Sequence, residues 1–169
     1  MIRAAIACGV MVGCSGGASA PTGDTFIAFS STFADYATWN HDHSDGPAPG
    51  TQPDAVLGPR EQYINTLPPA DAIEFPIGTA IVEVRASGTI FAGVKRGGNF
   101  NPGGAVNWEW FELLQSPDVV IKWRGVGPPA GEMYGGDPDG GCNSCHAQCG
   151  ATNDYVCSPY LQLGHLGTL

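Results

Sequence analysis

Residues 79–124 read TAIVEVRASGTIFAGVKRGGNFNPGGAVNWEWFELLQSPDVVIKWR, and the fold turns on this stretch. Residues 79–85 and 89–94 are rich in β-branched side chains, which suit a pleated surface, and Ser87-Gly88 reads as a two-residue hairpin turn between them. Residues 106–114 alternate, with Trp108, Trp110 and Glu112 on one side against Glu109, Phe111 and Leu113 on the other. A Ser116-Pro117 turn leads into a fourth strand over 118–124. The intervening GGNFNPGG lacks the strand–loop–helix setting and the Lys-Ser/Thr of a phosphate loop, so it reads as a turn. Consecutive strands joined by short turns predict an antiparallel sheet.

Upstream, Ser30-Ser31-Thr32 offers a helix cap, and Phe33, Tyr36 and Ala37 follow at i, i+3 and i+4. That pattern predicts a short amphipathic helix, stopped by a loop over 41–49 rich in Asp, Gly and Pro. Residues 60–65 suit one helical turn or a short strand, ended by Pro68-Pro69. The expected class is α+β: a single domain, an antiparallel β-sheet with a few packed helices. There is no internal repeat and no sign of a second domain.

The composition agrees with this and sets limits. A chain of 169 residues is the length of one domain, large enough to bury a core without disulfides. Its 25 Gly and 14 Pro call for many turns rather than a helical bundle. Seven basic against sixteen acidic residues leave a formal charge of -9, which excludes a general binder of nucleic-acid backbones.

The first residues, MIRAAIACGVMVGCSGGASAP, place Arg3 before a short apolar run, as a secretory signal does. Met11-Val12-Gly13-Cys14 resembles a bacterial lipobox, which would make Cys14 a lipidated N-terminus; cleavage after Ala20 is the rival, disfavoured by Pro21. Residues 1–20 are thus expected to be signal and tether, and 24–169 the domain. The expected location is the periplasm or a lipid anchorage at the outer membrane through Cys14. No later apolar run reaches the ~18 residues a spanning helix needs.

Six cysteines then require explanation. Cys142-Asn143-Ser144-Cys145-His146 has the spacing by which two thiols tether a haem through thioethers while the following His ligates iron. Three rivals share those residues: a thioredoxin-like redox pair, whose βαβ setting is missing, a zinc site drawing on Cys149 and Cys157, and plain disulfides. With haem at Cys142 and Cys145, Cys149 and Cys157 become a spare pair expected to bond in an oxidising compartment. The other side of the iron has no well-placed ligand among Met133, His165, His41 and His43, which predicts an open position.

With these residues located, the chain resembles the small haem family that includes cytochrome P-460 and cytochrome c-prime-beta. The marks are Trp39, Gly58-Pro59-Arg60 with Tyr63-Ile64-Asn65, residues 75–82, Val94-Lys95-Arg96, Trp108-Glu109-Trp110-Phe111-Glu112, and residues 142–146 followed by Asn153-Asp154-Tyr155-Val156. The resemblance implies an antiparallel sheet homodimer with one haem c attached near the C-terminus, His146 on the iron, and an open distal side. The lysine that hydroxylamine-oxidising members cross-link to haem is replaced by Glu83. Glu109, with Glu83, is the implied distal proton relay, and Phe75 or Phe91 the implied apolar cap.

The expectation is therefore a monohaem cytochrome outside the cytoplasm that binds nitric oxide or another small gaseous or nitrogenous ligand, or passes electrons to a redox partner protein. The alternatives are an oxidoreductase acting on a hydroxylamine-type compound, and a structural protein stabilised by zinc or disulfides. Whether the chain is an enzyme stays open at this stage.

Overall fold

The computed structural model describes residues 24–45, 58–115, 117–127, 141–158, 160, 161, 163 and 166. The signal, Cys14, Met133 and His165 lie outside these.

Six strands follow in chain order: β1 (Asn40–Ser44), β2 (Arg60–Ile64), β3 (Ala80–Arg85), β4 (Ile90–Lys95), β5 (Trp108–Gln115) and β6 (Val119–Gly125). Each pairs antiparallel with the next, so the sheet order is the sequence order. Such a meander needs no crossover: β3–β4 and β5–β6 are joined by tight connections, and β2–β3 and β4–β5 by loops over 65–79 and 96–107. The β3–β4 turn has three residues rather than two. Arg85 and Thr89 close it through Arg85 N–H donating to Thr89 O, and Gly88 takes a left-handed φ of 84°.

The strand pattern sends alternate side chains to opposite faces. Ala80, Val82, Ile90, Ala92, Val94, Phe111 and Leu113 point to one face, where Phe33 and Tyr36 cover them. Ile64, Trp108, Trp110 and Trp123 belong to the second face, packed under Cys142, Val156 and Leu161. Both faces are therefore buried, by different parts of the chain.

The expected α+β balance is corrected: the fold is predominantly β, and not the helix-bearing cytochrome architecture. The helical elements named among the described residues are short: α1 (Cys142–Gln148) and 3-10 turns at Ser30–Phe33, Tyr36–Thr38 and Ala151–Asn153. Residues 30–39 close as 3-10 turns, with Thr32, Thr38 and Trp39 N–H each bonding to the carbonyl three residues back, so the segment does not run on as an α-helix. Thr32 Oγ1 caps the first turn by accepting from Phe29 N–H at 3.0 Å, and Thr38 Oγ1 donates to Asp35 O at 2.8 Å. Ser30 Oγ is likewise engaged, by Ile121 N–H at 3.2 Å.

Strand β1 replaces part of the expected loop over 41–49. Its sequence, NHDHS, has no apolar alternation, so no strand pattern is visible in it. It forms on the edge of β2, where His41 and His43 reach the two oxygens of Glu61, at 2.5 and 2.6 Å. No helix among the described residues is long and apolar enough to cross a membrane.

Candidate functional site

A concave pocket opens on the second face of the sheet, between the strands and the segment 142–161. Its floor comes from β2 to β5, with Arg60, Ile81, Glu83, Phe91 and Trp110. Its roof is Cys142, Cys145, His146, Cys157 and Leu161. The cavity measures about 110 Å³.

Helix α1 is held over the sheet through Asn143. Its Oδ1 accepts from Ala105 N–H at 2.8 Å and Asn101 Nδ2 at 2.5 Å, and its Nδ2 donates to Asn101 Oδ1 at 3.0 Å. The glycine-rich loop is thus the seat of the helix. At Gly104 a Cβ would fall 1.8 Å from Asn143 Nδ2, so any side chain there would push the Asn143 amide out of these bonds.

His146 leaves α1 and stacks on the Trp110 ring, with centroids 4.0 Å apart. Gly93 makes room for that indole, since a Cβ there would lie 2.7 Å from Trp110. His146 Nδ1 lies 2.8 Å from the carbonyl oxygen of Tyr155. A carbonyl only accepts, so Nδ1 carries the proton and Nε2 the lone pair. Burial pushes the imidazole below its ordinary pKa, against a smaller upward pull from the Tyr155 carbonyl and Glu83, which favours this neutral form.

Cys149 and Cys157 form a disulfide, as the spare pair predicts, and the bond brackets the turn that carries Tyr155. Cys142 and Cys145 stand outside that bond, on the roof of the pocket.

The remaining expected site residues separate. Glu83 lines the pocket, tied to Arg60 Nε at 3.3 Å and Arg85 Nε at 2.9 Å. Phe91 lines it too, beneath the Arg85 guanidinium. Phe75 is buried edge-on against Trp108 and is not part of the lining. Glu109 pairs with Val94 across the ladder and so faces the opposite side of the sheet. There Arg124 grips both of its oxygens, at 2.7 and 2.8 Å, and Arg96 adds a third contact at 3.1 Å. A relay through Glu83 and Glu109 together would have to cross the sheet. His41 and His43 are on the exposed β1 edge, outside the pocket lining.

Three features escape a reading of the sequence alone. Arg60 lines the pocket with its side chain only 2% exposed. The Trp110 indole N–H is buried with no acceptor among the described residues. A buried ion pair, Lys95 Nζ to Asp154 Oδ1 at 2.5 Å, joins β4 to the turn beyond α1. The one hint of that pair is a lysine at the end of an apolar strand.

No family model matches the chain, no curated protein matches it, and no solved structure matches it. Among the described residues there is no group of three or more His, Cys, Asp or Glu that could hold a metal ion. The resemblance to the cytochrome P-460 and cytochrome c-prime-beta family is therefore withdrawn. With it go the covalent haem c and its iron, metal ligation by His146, gas binding, electron transfer and the hydroxylamine alternative. The Cys-x-x-Cys-His order at 142–146 stands in the sequence, but spacing fixes only the order of two thiols and an imidazole. The supported feature of the cysteine cluster is the Cys149–Cys157 disulfide, within a six-stranded antiparallel sheet of its own pattern.

Proposed function

We propose that this chain is a disulfide-stabilised structural protein of an oxidising compartment, exported by its N-terminal segment and anchored there through Cys14. The observation that carries the reading is the Cys149–Cys157 bond, set in the segment that roofs the aromatic face of the sheet. A bond of this kind removes conformational freedom from the unfolded chain, and for a loop this short it contributes about 2.5 kcal/mol. The reading is tested by denaturant unfolding of the oxidised protein against the reduced protein. Reduction should lower the unfolding free energy by about 2–3 kcal/mol, with Cys149→Ala/Cys157→Ala reproducing the loss. An unchanged midpoint in both would overturn the structural reading.

A second reading, a small-ligand pocket, is favoured by the cavity beside Trp110, whose buried indole N–H has no acceptor among the described residues. A buried donor without an acceptor costs free energy, and a ligand bearing an acceptor relieves it. At about 110 Å³ the cavity is smaller than the ~150 Å³ that encloses benzene, but it is open to one side, so a single ring would enter it in part. Benzoate is the probe: its ring suits Phe91 and Trp110, and its carboxylate accepts a hydrogen bond. Saturable quenching of tryptophan fluorescence is expected, weakened about tenfold in Trp110→Phe, which keeps an aromatic ring and loses the N–H. The absence of a saturable response, or equal binding by Trp110→Phe, would rule this reading out.

A further inference from the structure

We propose that Lys95 is a positioning residue for His146, fixing from the far side of the Asp154–Tyr155 turn which nitrogen of the imidazole carries the proton. The inference depends only on the geometry around that ring, and not on what the pocket holds.

The chain of contacts begins in the backbone. Asp154 and Tyr155 are consecutive non-glycine residues in the left-handed region, with φ of 45° and 64°. Each such residue is disfavoured by Cβ sterics, although Asp tolerates the conformation better than most, so a pair in succession needs outside support. Asp154 supplies it with three of its atoms. Its Oδ1 meets Lys95 Nζ from β4, its Oδ2 accepts from Phe75 N–H at 2.8 Å, and its carbonyl oxygen accepts from Trp108 Nε1 at 2.8 Å.

Of these partners Lys95 supplies the charge. Its side chain is 2% exposed and Asp154 is 6% exposed, so the carboxylate and the ammonium neutralise one another where water does not. Burial pushes the Asp154 carboxyl up, and the Lys95 contact is foremost among those pulling it back towards the ionised state. Glu74 stands 3.8 Å from the same ammonium but is mostly exposed, and the Trp108 ring lies 5.6 Å from it.

The product of the turn is one carbonyl. Residue 155 in the left-handed conformation, with its N–H bound to Gly150 O at 3.0 Å, directs its own oxygen to His146 Nδ1. That contact places the proton on Nδ1 and leaves Nε2 as a lone pair. The disulfide brackets the same turn, and its Cys157 Sγ stands 3.8 Å from His146 Nδ1, a weaker contact than the Tyr155 carbonyl at 2.8 Å; it makes no bond to the Asp154 carboxylate, which Lys95 holds.

Nuclear magnetic resonance of the full, oxidised chain labelled with ¹⁵N-histidine reads the tautomer directly, through long-range correlations within each ring. Native His146 is expected as the Nδ1–H form. Lys95→Met is expected to convert it to a mixture in which the Nε2–H form, ordinarily the commoner one, predominates. Asp154→Asn, which keeps the shape and the tolerance of the left-handed turn while removing the charge, should move it the same way and decides the matter if Lys95→Met fails to fold. Val82→Ala in the opposite core is the control for general loosening and should leave the ring as in the native protein. A native Nε2–H form, an unchanged tautomer in the charge variants, or an equal shift in Val82→Ala would overturn the proposal.

Discussion

At the scale of single residues, burial decides what each carboxylate does. Glu109 is 2% exposed, a position that an aspartate or glutamate rarely holds without partners. Its partners are Arg124, which takes both oxygens side by side, and Arg96. The same contact raises the Arg124 guanidinium above its ordinary range, the hydrogen bond to Glu109 being the main cause. Arg124 also donates to Ala28 O at 2.7 Å and lies over the Phe111 ring, so the network ties the first residues of the described chain to β5 and β6. Glu109→Gln keeps the shape but turns an amide N–H₂ toward a guanidinium. A destabilisation of about 2–3 kcal/mol is expected in denaturant unfolding, at the lower end for a broken buried pair because both arginines retain some water. Because Glu109 faces away from the pocket, the Trp110–His146 stack should keep its near-ultraviolet signature. A large change there would show that the two faces are coupled through this residue.

At the scale of elements, β1 is the strand with the weakest apolar support and the most evident electrostatic one. His43 is raised above its ordinary pKa, first by its hydrogen bond to Asp45 and then by Glu61. Glu61 is lowered below its own, by His41 first and then His43. The signs define a window. The histidine contribution is complete below its unfolded pKa of about 6.5 and is lost as pH rises through the higher folded value; the Glu61 contribution is complete above about 4.5 and is lost as pH falls through its lower folded value. Pairing of β1 with β2 should therefore be tightest in mildly acidic solution and loosen above neutrality. Amide exchange at the β1–β2 ladder, corrected for the intrinsic pH dependence of exchange, would show protection falling as pH rises above the ordinary histidine value of about 6.5. Protection that stays level would mean that the backbone ladder alone holds this edge. All of these groups are exposed, and salt should weaken the effect.

The same strand shows what was legible in the sequence. β3 and β4 announce themselves by their β-branched runs, β5 by an alternation over 106–114 that separates its two faces correctly, and β6 by the apolar run after the Ser116-Pro117 turn. β1 has no apolar residue to alternate, and its partner is 20 positions away, so its pairing is tertiary and leaves no local mark. The pattern Ser30 to Trp39 misled in the opposite direction, because apolar spacing at i and i+3 suits successive 3-10 turns as well as an α-helix. At the site, the cysteine spacing located the pocket's roof and its spare disulfide pair, but the face on which a charged residue lies decided the rest. Glu109 and Glu83 look equivalent in a list of strand acids; the alternation that puts Trp108 and Trp110 over the pocket puts Glu109 behind it.

At the scale of the molecule, the sheet divides two cores that are stabilised differently. The first is closed by the segment 26–39 through apolar packing, with Phe33 against Phe111 and Tyr36 against Tyr63. The second is closed by 142–161, a segment of one short helix and irregular chain, which relies on Asn143, Asp154 and the disulfide to remain seated. Cooperative units of unequal stability are expected wherever one part of a fold depends on a few specific contacts. Reducing Cys149–Cys157 should thus open the second core before the first. Hydrogen exchange of reduced protein would show amides in 142–158 exchanging through a local opening of lower free energy than the global unfolding that still governs β3 and β4 amides. The Trp110–His146 stack should loosen with that segment, and near-ultraviolet dichroism would follow it. Equal protection in 142–158 and in all six strands of the reduced protein would instead make the molecule a single cooperative unit, in which the sheet is no boundary.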